Sequence, residues 1–215
     1  MHIWEGWLPI EWCAIWMVLS LIAIVIGIIQ LKSLIREYED VKKLFAMNGV
    51  LIFFESLLTL RGLNGASSHP ASNAVSGSLL GPAVTSVIVA IVLIIQAFLL
   101  GYGGLTSVGA NIFAIGVVGP LVACIVYNKT KNISDMLALV LAVFFANLST
   151  ILTTALQFAV VYGDFYKFFV ILLISQIPLA IIDVVVSIIV FVFLKSIFKG
   201  SRIFSFELND FFKLN

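Results

Sequence analysis

Histidine occurs twice in this chain of 215 residues, at His2 and His69. A histidine in second position has a long chelating reach. The terminal amine of Met1, the backbone nitrogen of His2 and its imidazole can close two fused rings on one metal ion. The backbone nitrogen must lose its proton to bind well, so this donor set suits Ni(II), Cu(II) or Co(II) better than Mg(II) or Ca(II). One more imidazole, from His69, would complete a planar set of four nitrogens, the geometry associated with Cu(II) and Ni(II). The plainer reading leaves His2 as a terminal residue and His69, just before Pro70, as the cap of a short helix. Zinc catalysis is poorly served, because there is no HExxH motif and no pair of carboxylates beside either histidine.

What could bring the two histidines together is set by composition. The chain is 62% hydrophobic and 11% charged, against about 45–50% and about 25% in ordinary soluble domains. Too few polar side chains exist to cover a water-facing surface, which excludes soluble enzymes and disordered chains and leaves an integral membrane protein. A net charge of +1 gives no electrostatic case for nucleic acid. Cys13 and Cys124 stand alone in apolar runs and read as packed core. The opening MHIWEGWLPIEW has neither a basic start nor a small-residue cleavage site, so Met1 is the expected mature terminus. Walker A, glycine-rich nucleotide and nucleophile-elbow motifs are all missing from the sequence, so the chain is expected neither to hydrolyse ATP itself nor to be an enzyme.

A crossing helix needs about 20 apolar residues. Six runs qualify: Trp12–Leu31, Leu44–Leu60, Val84–Leu100, Val108–Tyr127, Met136–Val161 and Phe168–Leu194. Lys32, Arg36, Lys42 and Lys43 mark the first loop as cytoplasmic, placing the N-terminus outside. With six crossings, Lys129, Lys131, Lys195, Lys199 and Arg202 would then face outward, against the same rule. A seventh, short crossing near Pro70–Leu80 removes both violations. It is too polar to face lipid and must be buried in the bundle. The expected architecture is therefore all-α, with seven transmembrane helices, N-terminus outside and C-terminus cytoplasmic. Residues 1–197 form one transmembrane domain and 198–215 a cytoplasmic or interfacial tail. Gly77 and Gly81 on the short helix read as close packing within the bundle.

That topology puts His2 and His69 on one side of the membrane. Intramembrane polar residues include Glu55, Gln96, Asn111, Asn147, Gln157, Gln176 and Asp183, and such groups are functional candidates by default. Glu55 could orient a ligating imidazole. Asp183, five residues after Pro178, could bond a neighbouring helix. Glu5 and Glu11 could draw cations to the mouth or simply be solvated. The competing reading is a self-sufficient secondary cation transporter using Asp183 and Glu55.

Several segments resemble the CbiM/NikM family, the substrate-capture (S) components of energy-coupling factor (ECF) transporters for cobalt and nickel, with CbiM the nearer likeness. They are MHIWEGWLP at the start, SSHP at Ser67–Pro70, GGLTSVGANIF at Gly103–Phe113, VVGP at Val117–Pro120 and QIPLAI at Gln176–Ile181. The resemblance implies one helix added before a six-helix S-component fold. It also implies capture of Co(II), or Ni(II) as second choice, by Met1, His2 and His69; Glu55, Ser68, Asn111 and Asp183 are candidates for the surroundings of the site or the path. The implied partners are a CbiQ-like membrane coupling subunit, a CbiO-like ATPase and a small CbiN-like helper in a prokaryotic cell membrane, supplying cobalamin biosynthesis. The sequence departs from the family pattern in LLTLRGLNGAS before SHP, at Tyr102 where a histidine is usual, and at Asn147 where an acid is usual. These departures touch the surroundings of the site and leave the implied ligands intact.

Overall fold

The computed structural model describes residues 2–57, 60–61, 67–68, 72–199 and 201. The helices are α1 (Ile10–Glu37), α2 (Val41–Ser56), α3 (Asn73–Leu80), α4 (Pro82–Leu100), α5 (Val108–Asn111), α6 (Gly119–Thr130), α7 (Asp135–Tyr162) and α8 (Phe165–Ile197). A π-helix, Ile112–Val118, joins α5 to α6 in one continuous rod. Between α2 and α3 a two-residue antiparallel pair, β1 (Leu60–Arg61) and β2 (Ser67–Ser68), sets Leu60 opposite Ser68.

Local chemistry explains the boundaries. Gly81, at φ +82°, makes the sharp turn between α3 and α4, and Pro82 suits the first helical position, where no N–H is needed. Ser134 caps α7 by accepting the N–H of Leu137, and the Asp164 carboxylate caps α8 by accepting that of Lys167. Five described stretches are long and apolar enough to cross a membrane: Ile10–Glu37, Pro82–Leu100, Val108–Thr130, Asp135–Tyr162 and Leu179–Ile197. This is a multi-pass membrane protein.

Two expected elements differ from that simple picture. Helix α2 ends at Ser56 rather than Leu60 and has 16 residues, about 24 Å at 1.5 Å per residue. The chain then enters β1, although the continuous apolar runs had suggested no strands. The short helix is α3, beginning at Asn73 rather than Pro70, and all eight of its residues are buried. Its polar groups are satisfied inside the protein: Ser76 and Thr85 share a 3.0 Å hydroxyl bond, and Ser78 donates to the Ala74 carbonyl. That is the condition under which a short polar segment survives among membrane helices. Gly77 packs against Pro120 of α6, where an added Cβ would sit 2.7–2.8 Å from the proline. The close-packing reading of Gly77 holds.

The buried side chains form two main bodies. One joins α2, α3, α6, α7 and the C-terminal half of α8 through Leu44, Leu80, Leu139, Phe191 and Leu194. The other lies beneath the N-terminal segment and joins Ile3 and Leu8 to Trp16, Ala110, Ile151, Phe158 and Leu172. Cys13 and Cys124 are buried free thiols in different bodies, as expected of packed core. The residues of the tail from Arg202 onward lie outside the described part.

Candidate metal centre

His2, Ile3 and Leu8, ahead of α1, are buried. Ile3 is 1% exposed and His2 5%. The Ile3 N–H donates to Asn111 Oδ1 at 2.7 Å, and Asn111 Nδ2 donates to the Ile3 carbonyl at 3.0 Å. One side-chain amide thus grips the peptide groups on both sides of Ile3, and its partners fix which end is oxygen. The Ser107 hydroxyl donates to the same carbonyl at 2.7 Å. Each bond contributes about 1 kcal/mol net, but leaving a buried peptide group unpaired costs about 1–3 kcal/mol. This residue is therefore held in register, and with it the adjoining backbone of His2.

Further tethers follow along the segment. The Glu5 carboxylate accepts from the N–H and hydroxyl of Thr106. Tyr162 donates its phenol to the Trp7 carbonyl at 2.7 Å, and the Trp7 ring lies 5.9 Å from that of Phe158. The loop Gly101–Ser107 makes room for this docking. A Cβ on Gly103 would lie 3.0 Å from Asn111 Nδ2, and one on Gly104 would lie 2.7 Å from both the Cα and the backbone nitrogen of Glu5. Tyr102, one of the three departures noted above, lies beside His2 with ring centroids 6.3 Å apart.

Glu5 was a candidate for attracting cations, and the structure gives it a different task. Hydrogen bonds from Thr106 hold its carboxyl below the usual carboxylate range. A carboxylate lowered on docking stabilises the docked state above its undocked value, about 4.3, and that contribution is lost as pH falls through the lowered value. Exchange protection of the Ile3 amide should therefore weaken below about pH 4, and Glu5→Gln should remove that acid-dependent step. Protection unchanged across this range in the unaltered protein would contradict the tether.

Of the other sequence candidates, Glu55 gives both carboxylate oxygens to Ser72, accepting its N–H at 2.7 Å and its hydroxyl at 2.8 Å. It thereby caps the entrance to α3. Among the described residues Ser72 is the partner of Glu55; the imidazole that the sequence suggested for it lies outside them. Asp183 accepts from Asn147 Nδ2 at 2.6 Å, joining α7 to α8. Gln157 donates to the Ala110 carbonyl and Gln96 to the Ser56 hydroxyl. Met1, His69 and the side chain of Ser68 lie outside the described residues. Among the described residues no group of three or more His, Cys, Asp or Glu side chains gathers to hold a metal. Sequence reasoning singled out Asn111, covered Gly104 and Ser107 only as members of the Gly103–Phe113 segment, and missed Tyr162, whose phenol acts on a backbone carbonyl.

The fold is thus a bundle of apolar membrane helices with a docked N-terminal segment. The family model described as "Cobalt uptake substrate-specific transmembrane region" matches residues 2–199, and the chain belongs to this family, CbiM. A CbiM relative from Methanocaldococcus jannaschii is 40% identical over 205 residues, covering 92% of this chain and 88% of its own. The cobalt transport protein CbiM of Desulforamulus reducens is 39% identical over 199 residues, covering 89% and 80%. The fold also matches the crystal structure of a truncated transition metal transporter, with TM-score 0.78 at 20% identity over 91% of this chain and 99% of that one.

Proposed function

We propose that this chain captures Co(II), with Ni(II) as second choice, through the Met1 amine, the main-chain and imidazole nitrogens of His2, and the imidazole of His69. The observation that carries this reading is the buried His2 beside an Ile3 backbone clamped on both sides by Asn111. A segment that only led into α1 would have no need of such a grip. A chelate using main-chain nitrogens needs one, because backbone placement then sets ligand geometry. The proposed orientation has seven crossings, N-terminus outside and C-terminus inside, with residues 1–197 as one transmembrane domain and 198–215 as a tail.

In this reading the chain is the S component of an ATP-driven ECF importer in a prokaryotic cell membrane. A CbiQ-like coupling subunit, a CbiO-like ATPase and a CbiN-like helper complete it, and the imported ion feeds cobalamin biosynthesis. ATP hydrolysis belongs to the partner. The test is cobalt uptake into vesicles holding either the whole assembly or this chain alone. Uptake that needs ATP and the partners supports the reading. Gradient-driven uptake by the chain alone, sensitive to Asp183→Asn or Glu55→Gln, would replace it with a secondary cation transporter.

A further inference from the structure

Asn111 is the last residue before the π-helix Ile112–Val118, and that helix has an identifiable cause. In a π turn a carbonyl pairs with the N–H five residues on, as the Ala114 carbonyl does with Gly119. By the same register the Ile115 carbonyl faces Pro120, which has no N–H. A side chain from another helix fills the gap: Asn73 Nδ2 donates to the Ile115 carbonyl at 2.6 Å. Asn73 is itself buried and sits on α3, which is fixed against Pro120 by the close approach of Gly77. The Thr150 hydroxyl lies 3.4 Å from the neighbouring Ala114 carbonyl.

The register of this segment controls where Asn111 points. A π bulge amounts to one residue inserted in an α-helix, and one residue is about 100° of helical rotation. If the segment between Asn111 and Gly119 changes register, Asn111 turns relative to α6 and its amide leaves Ile3. We propose that Asn73 is a positioning residue for metal capture, holding the π register of Ile112–Val118 and so keeping Asn111 aimed at the Ile3 backbone. This rests on the capture reading above. It assigns to a residue on α3 an effect on metal affinity that runs through Asn111.

The test is a double-mutant cycle on the purified full chain with its native N-terminus, titrated with Co(II) alone, with unfolding midpoints measured in parallel. Asn111→Ala should weaken binding about 10–100-fold, the range for side chains that orient metal ligands. Asn73→Ala should weaken it about tenfold, at the lower end of that range. If Asn73 acts through Asn111, the double variant binds like Asn111→Ala alone, to within about twofold. Effects that multiply, or a single variant without effect, would overturn the proposal. Should Asn73→Ala not fold, Thr150→Val carries the same cycle with a smaller expected loss. A His2→Ala arm separates the two levels. Undiminished binding there sinks the capture reading itself, whereas loss there combined with normal binding by Asn73→Ala sinks only the role of Asn73.

Discussion

Adding a single residue ahead of Met1 should weaken cobalt binding more than about 100-fold, beyond the range for losing an outer partner of a metal ligand, while the bundle still folds. The added residue turns the terminal amine into an amide, whose nitrogen lone pair is delocalised and no longer a good donor. Proteolytic removal of the extra residue should restore binding, which separates the chemistry of the amine from any effect on folding. The check is cobalt titration before and after cleavage. Unchanged affinity in the extended protein would remove the Met1 nitrogen from the ligand set.

Gly104→Ala should reduce binding by a comparable factor for a different reason. The new methyl group would lie 2.7 Å from the Cα and nitrogen of Glu5 and would also overlap its carboxylate. Backbone atoms cannot swing aside as the end of a long side chain can, so the whole segment before α1 must shift and Ile3 must leave Asn111. Gly101→Ala, in the same loop, is the control. Its Cβ meets nothing within 4 Å, and its φ of +64° adds only the strain of a left-handed alanine, about 1–2 kcal/mol. Gly101→Ala should lose some stability and keep its affinity, whereas Gly104→Ala should lose affinity. Equal binding by both would contradict the docked N-terminal segment.

Much of the fold was legible because a bilayer demands long apolar runs and uneven lysine placement. The runs located α1, α4, α7 and α8 to within six residues at each end. The charge count called for an additional short segment where α3 lies. Legibility failed where backbone geometry rather than composition decides. Leu57–Leu60 is as apolar as the helix before it, so hydropathy carried α2 past Ser56 into β1. The π-helix has no compositional mark except Pro120, whose missing N–H becomes informative only once Asn73 is seen beside Ile115. At the site, His2 was conspicuous by position. Asn111 was a candidate too, but its target was hidden, because Ser107 and Asn111 act on Ile3 through peptide groups that any residue would offer. Glu55 was noticed as an intramembrane acid, yet its partner Ser72 lies 17 residues away in sequence. No periodicity links the two.

The central claim is that a buried N-terminal segment binds the transported ion through its own nitrogens. Metal analysis of the purified protein with its native N-terminus, offered Co(II) and Ni(II) in equal amounts, tests it most directly beside His2→Ala and His69→Ala. The expected result is about one ion per chain, mostly cobalt, lost in both variants and released by acid, because the ligating nitrogens must be deprotonated. One ion per chain retained in His2→Ala would contradict the account.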